Sequence, residues 1–295
     1  MLASKDGETL YRWWGYSKED FLKEIKIGLE DPTTITEKKE RFSKNPDERT
    51  AKALAIYHYT RRELKESENY YLKAAKLSAD YDYAYELYDL YRRGFRGELY
   101  SREQVLAATD KALASESVNT RSKLRIYDQM GGQAILMFPD DPDILGYIKS
   151  GQEFASTVSG EEYQRYKDRL AISYLVYIDN NIPKAVELKK STYEEGWQEN
   201  ARQLNSYAWW CFENKINLEE AEKMAERGIK LAEPGSEKAN IIDTLAEIVN
   251  LRGDPARAAQ LIDEAVEEDP DREFFKQQQK RFHDLAKPKV QSKAN

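Results

Sequence analysis

A two-helix unit is written twice in the last third of the chain, and no other feature restricts the fold as much. From Ala239, the second copy sets a small residue at Ala246, a turn at Gly253 and Asp254, small residues at Ala258 and Ala265, and a closing Pro270. The first copy places Ala208, Ala221, Gly228 and Pro234 at the matching positions, offset by 38, 37, 37 and 36 residues. Two antiparallel helices approach closely only where small side chains sit at the crossing, so Ala246 and Ala258 read as the contact point of one hairpin and Ala265 as facing the next. Pro270 lacks a backbone donor and ends the second helix. Leu245, Ile248, Val249 and then Leu261, Ile262, Ala265, Val266 recur at three- and four-residue steps, which gives each helix one apolar stripe. A single hairpin cannot cover such a stripe, whereas stacked hairpins do, so the period predicts an all-α chain built as an α-solenoid.

The same spacing can be followed upstream. Ala55, Ser67 and Ala74 are separated by twelve and then seven residues, as are Ala246, Ala258 and Ala265, with Tyr71 in the second helix. Tyr88, Ala107 and Ala114 keep the seven-residue step after a longer loop from Gly94 to Gly97, and Ala171, Ala185 and Thr192 keep it across the turn Asn180–Pro183. Between these copies, helices over Thr120–Met137 and Pro142–Thr157 form a further divergent hairpin whose register stays open. An ordinary helical bundle also shows apolar stripes, but not a seven-residue step recurring after a gap of twelve.

These positions resemble the tetratricopeptide repeat, whose unit is about 34 residues, most closely over Asn200–Asp271 and Pro46–Ala79. The resemblance implies about five to seven right-handed hairpins over residues 32–285, closed by a capping helix from Asp271 to about Leu285, with a disordered tail over 286–295. It also implies a concave groove lined by the first helix of each unit. By register, Asn205, Trp209, Phe212 and Glu213 line it in one unit and Asn240, Asp243, Glu247 and Asn250 in the next; Arg49, Lys52, Ile56 and Tyr59 are the equivalents near the amino end. Tyr and Trp offer broad contact at little entropic cost and Asn pairs with a peptide backbone, so the expected ligand is a protein or peptide. Packing of Trp209 and Phe212 against the next repeat is the competing reading. The carboxyl-terminal clamp of chaperone-binding relatives is not expected, since Lys52 fits it but Ile56 stands where Asn is required.

Residues 1–31 stand apart. Asp6-Gly7 is a turn signal, Glu8–Trp14 reads as one strand with exposed tryptophans, and Ser17 with Asp20 resembles a capping box before a helix whose apolar face is Phe21, Leu22, Ile25 and Leu29. This resembles the closing strand and last helix of a thioredoxin domain. Leu204–Asn214 and Leu218–Gly235 likewise resemble the repeat region of bacterial thioredoxin proteins with a tetratricopeptide tail. Together they imply the carboxyl-terminal part of such a protein, with the Cys-x-x-Cys and cis-proline loop expected before Met1. An unpaired strand would invite dimerisation through its edge. The parent family is often extracytoplasmic; one cysteine leaves the compartment open.

Chemistry is sparse. Thiol-disulfide exchange needs two thiols, and Cys211 is alone, mid-helix among Trp209, Trp210 and Phe212, so it reads as a buried structural thiol. His58 and His283 lack metal-like spacing, and no phosphate loop or nucleophile elbow is written, so no catalytic residue, metal or cofactor is expected. His58 reads as a solvated or hydrogen-bonded groove residue. The net charge of −7 argues against nucleic acid, and no apolar run reaches membrane-span length. Acidic runs such as Glu219-Glu220 and Glu267–Asp269 fit a solvated helix face better than a catalytic pair, which leaves a helical-toroid hydrolase or a rigid spacer as rivals to the peptide scaffold.

Overall fold

The structure is a computed structural model and describes residues 1–13, 18–138 and 140–287. The chain forms two compact units, Met1–Ile126 and Tyr127–Asn295. They part inside the segment expected to form one solenoid.

In the first unit, β1 (Leu2–Ala3) and β2 (Thr9–Tyr11) pair antiparallel, joined by a turn in which Gly7 adopts φ +83° and Ser4 Oγ accepts from Glu8 N–H at 3.1 Å. The lone seven-residue strand expected over Glu8–Trp14 is therefore corrected to a three-residue strand with a partner. Trp13 is half-buried, stacked on Tyr11 at 6.2 Å and edge-on to Phe21 at 5.9 Å. The tryptophan at 14 and the cap at Ser17 lie outside the described residues.

Helix α1 (Lys18–Glu30) presents Gly28 to Tyr11; a Cβ on Gly28 would stand 3.0 Å from that residue's Cβ. The strand approaches along the only side chain small enough to admit it, and Tyr11 Oη donates to Glu24 one turn away at 2.8 Å. The covered face is thus Phe21, Glu24, Ile25 and Gly28, while Leu22 and Leu29, expected inside, are 61% and 58% exposed.

Helix α2 (Ile35–Lys44) starts at a capping box of Thr34 and Glu37, and its buried Lys38 donates to the carbonyls of Asp31 and Thr33 at 2.9 and 2.6 Å. Helices α3 (Glu48–Thr60) and α4 (Leu64–Leu77) form the expected hairpin: Ala55, Ser67 and Ala74 are fully buried, and Ser67 Oγ donates to the Ala55 carbonyl at 2.9 Å. A longer side chain at either position would force the helices apart. Helices α5 (Ala84–Phe95) and α6 (Arg102–Ala114) pair next. Here the register is corrected: Ala107 and Ala114 are exposed, and Val105, Ala108 and Ala112 are buried. The ring of Tyr100 lies on Gly94, where a Cβ would come within 2.4 Å of it, and that close approach sets the loop.

Helix α7 (Thr120–Gln129) crosses the division between the units and continues through a π-helical stretch, Met130–Ala134, into α8 (Ile135–Met137). The second unit continues with α9 (Pro142–Thr157), α10 (Gln164–Tyr177), α11 (Ile182–Ser191), α12 (Ala201–Asn214), α13 (Leu218–Leu231), α14 (Ser236–Leu251), α15 (Pro255–Glu268) and α16 (Glu273–Ala286). Sequence neighbours pack on one another from α9 to α11 and from α12 to α16, and α12 also touches α14. Ala208, Ala221, Ala246, Ala258 and Ala265 are all fully buried, and Gly228 meets Ile241 on the following helix. Ala185 is likewise buried, but Thr192 falls beyond the end of α11 and is exposed, so that copy is a turn shorter than expected. Charged ties join the pairs: Lys190–Glu220 at 2.6 Å links α11 to α13, Glu222–Arg257 links α13 to α15, and Glu247–Arg281 links α14 to α16. Their sequence separations are 30, 35 and 34 residues.

Candidate functional site

Helix α12 repeats Asn205 and Trp209 four residues apart, and α14 carries Asn240 and Asp243 three apart, so each pair lies on one helix face. With Arg272 and Phe274 from the start of α16, these four line one open cavity of ≈ 610 Å³. They are four of the positions the register assigned to a groove.

The cavity's polar groups differ in how far they are satisfied. Asn240 Nδ2 donates to the Ser236 carbonyl at 2.6 Å, and its Oδ1 accepts from Arg272 at 3.2 Å. Arg272 also lies over Phe275 and Phe274, 4.9 and 5.7 Å from their ring centres. Asp243 is only 7% exposed, and its Oδ1 has no hydrogen-bond partner; the same holds for the buried Oδ1 of Asn205. Burial first, and then the negative charge of Glu247, push the Asp243 carboxyl up to about 6. An unsatisfied buried acceptor costs about 1–3 kcal/mol, so two of them beside one cavity favour a donor.

The other candidates go elsewhere. Phe212 packs at the margin of the core, 5.0 Å from the 36%-exposed Trp209. Glu247 is buried and engaged by Arg281 and by Gln278 at 3.4 Å, while Asn250 lies at the end of α14, its carbonyl accepting from Gly253 at 3.0 Å. None of the three lines the cavity. In the first unit, Tyr59 donates to Asp89 on α5, and Lys52 lies 5.9 Å from the Tyr83 ring centre. Burial pushes the Tyr59 hydroxyl up. Burial would also raise Asp89, but bonds from Tyr59, Arg92 and Arg93 outweigh it and hold the carboxyl low. Arg49 pairs with Glu30 at 3.0 Å.

His58, expected as a solvated or hydrogen-bonded groove residue, is hydrogen-bonded and not solvated. It is buried, stacked on Tyr70 of α4 at 5.5 Å, with Nδ1 2.6 Å from Glu63 and Nε2 unpartnered. Cys211 is fully buried, and burial raises its thiol to about 12, so it is not a thiolate at neutral pH.

A second cavity, ≈ 660 Å³, meets the first at Trp209. Its walls come from the end of α7, the π-helical stretch, α10, α11 and α12, and include Asp128, Arg165, Asp168, Arg169, Lys189, Tyr193, Trp210 and Glu213. Sequence spacing missed it because these helices carry the degenerate copies; Gly131-Gly132 inside a helix was the local signal. Burial lowers the Lys189 ammonium and raises the Glu213 carboxyl.

No helix of the described residues is long and apolar enough to cross a membrane. No family model and no curated protein matches the chain.

Proposed function

We propose that the second unit is a non-catalytic binding scaffold, an α-solenoid of tetratricopeptide-like hairpins whose trough across α12, α14 and the start of α16 receives an extended segment of a partner protein. One observation carries this reading: the unpartnered oxygens of Asn205 and Asp243 adjoin a cavity walled by Trp209 and Phe274. Peptide N–H groups supply the donors and the rings cover the chain between them. Both oxygens are covered in the free chain, so binding requires a side-chain rotation of Asp243 or Asn205. The contact of α12 with α14, beyond the contacts within hairpins, supports stacking in a line. The strand pair covered by α1 supports a place beside a thioredoxin-like domain.

A hydrolase is the second reading, and Asp243 beside Glu247 is what favours it. Glu247 is engaged by Arg281 and stays outside the cavity, however, and Glu237 pairs with Arg202, so two free carboxylates do not flank one space. Selection of random peptides on the full chain, followed by calorimetry, tests the scaffold. Trp209→Ala and Asn240→Ala are expected to weaken the selected peptides, about 30-fold for the tryptophan if it acts as an anchor. If no peptide is selected, or the variants bind as well as the parent, the reading is lost and a spacer remains.

A further inference from the structure

The cavity walled by α10, α11 and α12 is lined by Arg165, Arg169 and Lys189 beside Asp128, Asp168 and Glu213, and two of its cations, Lys189 and Arg165, have no hydrogen bond or ion pair among the described residues. We propose that it is a subsite for one acidic side chain, Asp or Glu, of the partner segment, received by Lys189 and Arg165; this rests on the peptide reading of the adjoining trough, which meets it at Trp209.

Three cations line the space, and they are not equivalent. Arg169 is paired with Asp128 at 2.8 Å and is already neutralised. Lys189 stands 5.0 Å from the ring centre of Tyr193 and 5.8 Å from that of Trp210, with no hydrogen bond or ion pair among the described residues. Its rings stabilise the cation but offer no lone pair. Arg165, exposed at the rim, also lacks a partner among the described residues. Arg169 and Arg165 both repel the Lys189 ammonium, adding to the effect of burial, and Glu213 attracts it. A carboxylate between Lys189 and Arg165 accepts from both and cancels that repulsion.

The local acids fix the charge of the ligand. Asp168 accepts from Gln164 Nε2 at 2.7 Å, and burial raises the Glu213 carboxyl against the attraction of Lys189. One carboxylate meets both Lys189 and Arg165, while a dianion would also meet Asp168 and Asp128. At ≈ 660 Å³ the space holds a side chain with its flanking backbone and is too roomy for an isolated carboxylate.

The test uses the full chain with acetyl-Ala-Glu-Ala-amide, its Gln counterpart and inorganic phosphate, read by calorimetry and by the fluorescence of Trp209 and Trp210. The Glu peptide is expected to bind about tenfold or more tightly than the Gln peptide and to weaken with salt. Lys189→Met and Arg165→Ala are each expected to reduce Glu-peptide binding about tenfold, with circular dichroism unchanged and Lys189→Arg restoring part of the loss. Equal binding of Glu and Gln peptides, indifference to Lys189→Met, or phosphate binding as tightly with the same lysine dependence each overturns the assignment. The two readings fail separately. Trough peptides that depend on Asn240 but ignore Lys189 remove only the acidic subsite, whereas a Lys189-dependent Glu peptide without any trough peptide removes only the trough.

Discussion

Replacing Asp243 by Asn swaps a buried carboxylate for an uncharged group of nearly the same shape, and the structure sets the size of the response. The carboxyl is held at about 6 instead of 3.8, chiefly by burial and then by Glu247. At 1.36 kcal/mol per pH unit, the difference amounts to about 3 kcal/mol. Because the folded form holds its proton more tightly than the unfolded form, this stabilisation is fully present below pH 3.8 and is lost as pH rises through 6. The native chain and Asp243→Asn are therefore expected to be equally stable near pH 3.5. The variant gains steadily to an advantage of about 3 kcal/mol at pH 7.5. Urea unfolding at closely spaced pH values, followed through Trp197, Trp209 and Trp210 of the second unit, gives the difference, in which titrating groups not coupled to Asp243 cancel. A difference that does not change with pH, or a variant less stable at pH 7.5, would refute the argument that Asp243 is buried without adequate partners.

Three further outcomes follow from other parts of the molecule. Ala246→Leu, at a fully buried position on the helix that packs most closely on α15, is expected to cost about 1–3 kcal/mol by overpacking, read as a lower urea midpoint. Lys38→Met leaves the Asp31 and Thr33 carbonyls without their donor and Asp31 with Arg41 alone as its cation, and is expected to destabilise the first unit by about 1–3 kcal/mol in a denaturant titration. Cys211, buried and with its thiol raised to about 12, is expected to resist an aromatic disulfide reagent at pH 8 until denaturant is added; fast labelling of the native chain would contradict its placement.

The hairpins with small residues at the crossing were legible because a close approach tolerates few residue types. Ala55 with Ser67, and Ala246 with Ala258, have no larger substitute that keeps the helices in contact. Where the approach is looser, several alanines compete for the role, and spacing selected Ala107 over the buried Ala108. The face of α1 was misread for a related reason: counting apolar residues favours Leu22 and Leu29, but the strand is admitted by the missing side chain of Gly28. Of the cavity lining, Asn205, Trp209, Asn240 and Asp243 follow from helical register alone. That Glu247 and Asn250 stay outside it does not follow, because α16 supplies the arginine and glutamine that hold Glu247, and helical register takes no account of a neighbour that closes over the face. The second cavity depends on a π-helical stretch, whose changed helical phase no fixed period can follow.

The charged ties from α11 to α13, from α13 to α15 and from α14 to α16 join side chains 30 to 35 positions apart. Stitching of so short a reach lets a gene gain or drop a stretch of that length while the new neighbours still meet opposite charges. On the repeat-array reading proposed above, this half of the protein can therefore change length by duplication or deletion without inventing a new seam.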